Sequence, residues 1–129
     1  MSVGLLTRVA LASLALGCVG CAQLRDDLQR SEAAYDAARY EDAEVWLAAL
    51  EPDVAALDAP RRARFYYLRG MTAERLNRRQ DALHYLSLAN EAAGETGAGL
   101  RDEQRRTLQT TLESLVPTTR THVARSADE

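Results

Sequence analysis

The clearest hydrophobic pattern lies near the end of the chain. Leu100, Leu108, Leu112 and Leu115 follow one another at intervals of 8, 4 and 3 residues. That spacing puts them on one stripe of a helix, which Pro117 ends. Upstream, apolar and small residues alternate with polar knots in a way that predicts four more helices. The first runs from about Leu24 to Ala38 and the second from about Glu41 to Leu50. Glu51-Pro52 stops the second, because proline cannot donate and restricts the residue before it. Asp58 can cap a third helix, with Pro60 tolerated in its first turn, and that helix reaches about Leu76. A fourth runs from about Gln80 to Ala93 and closes at Gly94. "ETGAG" then reads as a loop, and residues 117–129 show no periodicity and read as a disordered tail.

Within this pattern the chain echoes itself. "SEAAYDAARYEDAEVWLAAL" (Ser31 to Leu50) aligns with "GMTAERLNRRQDALHYLSLA" (Gly70 to Ala89) at an offset of 39 residues. The copies share Ala34/Ala73, Asp42/Asp81, Ala43/Ala82 and Leu47/Leu86, with "ARYE" or "NRRQ" between two helices. A fixed period of this kind indicates stacked supersecondary units. The small residues Ala34, Gly70 and Ala73, facing Ala43 and Ala82, let the paired helices approach closely.

On these residues the chain resembles the tetratricopeptide repeat. Tyr66 to Ala89 carries an aromatic, then Gly70, Ala73, Ala82, Leu86 and Ala89 at that family's spacings. The first copy departs from it, with Ser31 in place of the glycine. The period exceeds the usual ~34 residues, which places the surplus in "PDVAALDAP". The resemblance implies an all-α fold: two helical hairpins, about residues 24–51 and 59–93, in a right-handed solenoid. The helix at about 99–116 then caps the second hairpin, as terminal repeats require. It also implies a binding surface on the concave face, lined by the first helix of each hairpin. Matching positions there are Arg25, Leu28, Glu32, Tyr35 and Asp36, then Arg64, Tyr67, Met71, Glu74 and Arg75. Partner contacts are expected from Arg25, Leu28, Tyr35, Arg64, Tyr67, Met71 and Arg75. Tyr67 and Met71 one turn apart, flanked by arginines, suit an apolar peptide bearing carboxylates. The alternative is that Tyr67 and Met71 are core.

The amino-terminal segment is of another kind. Arg8 and Arg25 bracket 16 uncharged residues, fewer than the ~20 that a membrane-spanning helix needs. A basic start, an apolar stretch and a small-residue exit make an export signal over residues 1–20. Both cysteines, Cys18 and Cys21, sit at its end. "ALGC" and "CVGC" each resemble the lipobox of bacterial lipoproteins. The resemblance implies acyl chains, palmitate among them, on the first residue of a mature domain spanning residues 21–116. Cys21 suits this better, having the longer apolar stretch before it, and Cys18 remains open. An ordinary cleaved signal, a short membrane helix and a C-x-x-C redox or metal pair are the competing readings. Redox chemistry expects a βαβ setting, and zinc needs two further ligands where only His84 and His122 exist. Ala22 after Cys21, where aspartate is associated with inner-membrane retention, implies the outer membrane, facing the periplasm.

Composition narrows the function. All 16 basic residues are arginines against 19 acids, for a net charge of −3. Signs are mixed along the chain, which argues against nucleic acid as a partner. No nucleophile–base order, phosphate loop or metal spacing is present, so no enzyme activity, cofactor, metal or small-molecule substrate is expected. His84, with Asp81 on its helical face, reads as a surface residue. The pairs Arg61-Arg62, Arg78-Arg79 and Arg105-Arg106 read as a solvated face. Two functions remain: a lipid-anchored adaptor that grips a protein of an envelope complex, or a self-associating structural lipoprotein with no peptide site.

Overall fold

The computed structural model describes residue 20 and residues 22–116. The regular elements among them are all helical. They are α1 (residues 22–36), α2 (Tyr40–Leu50), a 3₁₀ segment (Glu51–Ala56), α3 (Ala59–Arg75), α4 (Arg79–Ala93) and α5 (Asp102–Leu115). The all-α class is as expected. Cys18, Cys21, the export segment up to residue 19 and the tail at 117–129 lie outside the described residues.

The internal echo extends to the backbone. α1 ends in a turn in which Arg39 N–H donates to Ala34 O at 2.9 Å and Ala38 N–H to Tyr35 O at 2.9 Å. Thirty-nine residues on, Arg78 N–H donates to Ala73 O at 2.8 Å and Asn77 N–H to Glu74 O at 3.0 Å. These paired bonds form a Schellman motif, which demands a left-handed residue at its turn. Ala38 (φ 56°) and Asn77 (φ 60°) occupy that place. The following residues, Arg39 and Arg78, share φ −93° and start α2 and α4. Asparagine tolerates the left-handed region, whereas alanine is strained there by about 1–2 kcal/mol.

Burial repeats with the same offset. Ala43 and Ala82 are fully buried, as are Leu47 and Leu86, and Leu28 matches Tyr67 in the core. Gly70 lies where α3 meets α4: a Cβ built on it would stand 2.6 Å from Leu86 Cγ and 2.9 Å from the Leu86 backbone nitrogen. Its counterpart Ser31 is also fully buried. The Ser31 hydroxyl donates to Asp27 O at 2.8 Å, so this polar group is satisfied within its own helix.

The surplus residues between the hairpins do not form a loose loop. Pro52 enters the first turn of the 3₁₀ segment, and Val54 and Leu57 are buried. Asp58 then caps α3 by accepting from Arg61 N–H at 2.9 Å. Beyond α4, Gly99 (φ 83°) brings the chain against α3: a Cβ there would run into the Pro60 carbonyl. α5 runs antiparallel to α4. Arg79 at the start of α4 donates to Ser114 O and Leu115 O at the end of α5, at 2.9 and 2.8 Å. Leu100, Leu108 and Leu115 are buried and Leu112 packs against them. Gln104, also buried, accepts from Arg101 N–H at 3.0 Å and closes the first turn of α5.

The arginine pairs are correspondingly less idle than a solvated face implies. Arg62 donates to Leu57 O at 2.9 Å, and Arg78 pairs with Glu44 of α2. Arg69 of α3 lies 3.3 Å from Glu51 and 5.2 Å from the Tyr85 ring centroid, and the Tyr85 hydroxyl donates to Glu51 at 2.6 Å. This group joins α2, the 3₁₀ segment, α3 and α4.

Two substitutions test the helix contact and the turn. Gly70→Ala gains helix propensity of ~1 kcal/mol, but the Leu86 backbone cannot rotate away. Overpacking of about 1–3 kcal/mol should therefore win and lower the melting temperature followed by circular dichroism. Ala38→Gly should raise that temperature, because relief of the left-handed strain exceeds the ~0.5–1 kcal/mol of added chain entropy.

Candidate functional site

The face expected to bind a partner can be followed residue by residue. On α3, Arg64, Tyr67, Met71 and Arg75 succeed one another at three- and four-residue steps, so they share a side of the helix. α1 supplies Leu28, Glu32, Tyr35 and Asp36 alongside. α5 and its N-cap residue complete the surface with Arg101, Glu103 and Thr107. A depression of about 270 Å³ lies between the three helices, lined by Tyr35 and Asp36 of α1, Tyr67 and Leu68 of α3, and Arg101 and Thr107.

Three of the expected contact residues are core. Leu28 is 3% exposed, Tyr67 5% and Met71 3%. Their burial corrects the expectation that a partner's apolar side chain rests on Tyr67 and Met71. For Tyr67 the cover comes from the start of α5, where Arg101, Gln104 and Thr107 line the same depression. Tyr67 also stands at the repeat position of Leu28, so both first helices use this site to hold the hairpin together. Arg25 is exposed but lines a separate depression with Leu57, Asp58 and Arg61. Ten residues separate it from Tyr35, about 15 Å along α1. Tyr35, Arg64 and Arg75 are the expected residues that keep accessible surface on this face.

The accessible part is polar. Glu32 stands between two guanidinium groups, 3.9 Å from Arg64 and 3.6 Å from Arg101. One carboxylate thus faces two arginines from two other helices, and both arginines retain unspent donors. At the far end Arg75 lies 5.9 Å from the Tyr40 ring centroid, and the Tyr40 and Tyr35 rings are 5.4 Å apart. Asp36, Glu74 and Glu103 balance the positive charge. Such a surface suits an extended polar segment carrying both signs better than an apolar peptide. Arg101, Glu103 and Thr107 carried no sign in the sequence, since α5 belongs to neither copy of the repeat.

Burial shifts the tyrosines. It pushes Tyr67 up to about 12, reinforced by the nearby Tyr35 and opposed by Thr107 and Arg101. It also raises Tyr35, against the hydrogen bonding and charge of Arg75. The Tyr35 hydroxyl in turn pushes the Arg75 guanidinium further up.

Among the described residues, no three His, Cys, Asp or Glu side chains are grouped to hold a metal ion, and no helix is long and apolar enough to cross a membrane. No family model, curated protein or solved structure matches the chain.

The shift of Tyr67 has a pH consequence. Its folded-state pKa of about 12 lies above the ordinary value of 10.0, so the unfolded chain releases the proton first. The stability that Tyr67 contributes is complete below pH ~10 and is lost as pH rises towards ~12. Denaturant midpoints measured across this range should fall, and Tyr67→Phe should make the fall shallower.

Proposed function

We propose that the protein is a lipid-anchored helical-repeat adaptor of a bacterial envelope, holding a segment of another protein along the α1–α3–α5 face. The observation that carries the reading is the recurrence of one hairpin at an offset of 39 residues, down to matching Schellman bonds and matching buried positions. Repeats of this type expose a continuous surface formed by equivalent helices. Here that surface presents Tyr35, Arg64, Arg75 and Arg101 beside Glu32 and Asp36. The tetratricopeptide-like packing, the lipid on Cys21 or Cys18, and residence at the outer membrane facing the periplasm are parts of the same proposal. The motifs around the two cysteines support the anchor, and the arginine-flanked face supports the partner.

The binding reading is tested by affinity purification from detergent-solubilised envelope. Arg75→Glu with Arg101→Glu should abolish co-purification of a protein partner while circular dichroism keeps its helical signal. Both arginines are more than half exposed, so the fold should tolerate the change. Unchanged co-purification would reject this face. Stable homo-oligomers without any partner, seen by sedimentation, would favour the self-associating alternative.

A further inference from the structure

The outer face of α2 changes character along its length. Its first turn exposes Glu41 and Asp42, whereas its last two turns expose Val45, Trp46, Ala48 and Ala49. Val45 is 68% exposed and Trp46 40%, and with Val116 they are the large hydrophobic residues left open to solvent among the described residues. Because α2 runs back along α1, this apolar end lies beside the start of α1. There Trp46 and Leu50 line a depression of about 290 Å³ together with Gln23, Leu24 and Asp53. Cys21, the favoured attachment residue, stands two positions before Gln23 in the sequence.

We infer that this end of the first hairpin is the surface on which the protein lies against the bilayer, with Trp46 at headgroup depth. The inference rests on the anchor proposed above. Trp46 neighbours Asp27 and Arg30 of α1, the latter with its guanidinium carbon 5.6 Å from the ring centroid. These positions are about 10–15 Å along the helix axis from the point where the tether enters. A short tether therefore allows α1 and α2 to lie along the surface, which brings Val45 and Trp46 into an interfacial layer several ångströms deep. Tryptophan favours that layer because its ring is apolar and its N–H polar. The flanking charges leave no positive excess: Arg30 pairs with Asp27 at 2.9 Å, Arg25 offsets Asp26, and Asp53 adds a carboxylate to the lining of the depression. The contact is thus apolar and does not require anionic lipid, which distinguishes it from a basic patch.

Trp46 is the only tryptophan in the chain, so its fluorescence reports this surface alone. The experiment uses the full-length chain, processed in a bacterial envelope, purified and reconstituted in phosphatidylcholine vesicles whose acyl chains carry bromine near the glycerol. The protein should float with the vesicles and lose at least half of its emission relative to vesicles without bromine, and high salt should not restore it. Val45→Asp, at a strongly exposed site, should float equally, keep its helical signal and largely escape quenching. Flotation with emission unaffected by bromine would leave the anchor standing and overturn the surface. Failure to float would remove the anchor and the surface together. An emission shift that depends on protein concentration but not on bromine would show that a second copy covers the patch, and would also overturn the inference.

Discussion

The close approach of α3 and α4 is the constraint on which the rest of the molecule depends. It is set where Gly70 faces Leu86, with the Leu86 backbone nitrogen 2.9 Å from where a Cβ would stand. At that separation Ala73 and Ala82 can meet without pushing the helices apart, and Leu86 can be enclosed completely. Interiors are packed to near-crystalline density, so one added methyl group at such a crossing is felt throughout. The first hairpin reaches the same register with Ser31, whose hydroxyl is occupied by its own helix. A hydroxyl is tolerated there because it leaves no unsatisfied group in the core.

The two hairpins are joined by more than apolar contact. The 3₁₀ segment buries Val54 and Leu57, and Glu51 at its start engages both Arg69 and Tyr85. Arg69 has a side chain only 16% exposed, so its pairing is less screened than a free surface ion pair would be. The residues between α2 and α3 therefore have a structural role: they bury Val54 and Leu57 and bring the Glu51 carboxylate at the end of the first hairpin to Arg69 and Tyr85 of the second.

α5 has a large effect on which side chains stay exposed. By packing along α4 and reaching over α3, it encloses the Leu100, Leu108 and Leu115 stripe and also shelters Tyr67. The same helix adds Arg101 opposite Glu32, so the exposed face becomes a set of opposed charges rather than an aromatic floor. The helix that shields the core also sets the charges exposed on the α1–α3–α5 face.

Much of the architecture was legible in local sequence. Pro52, Asp58 and Gly94 marked helix boundaries through backbone rules that act within a few residues, and the 39-residue echo exposed the paired turns and the Gly70 crossing. The depth of Tyr67 and Met71 was not legible, because a residue on a helix face reads alike whether solvent or another helix lies above it. Nor was the order within "PDVAALDAP", where burial of Val54 and Leu57 depends on helices distant in sequence. Periodicity by itself determined the helices, since these follow from contacts three or four residues apart, and the short turns at residues 37–39 and 76–78 paired them into hairpins. Only the tertiary structure decided where α5 lies, and with it which side chains remain available, because that depends on contacts between segments 35 or more residues apart, such as Arg79 with Leu115.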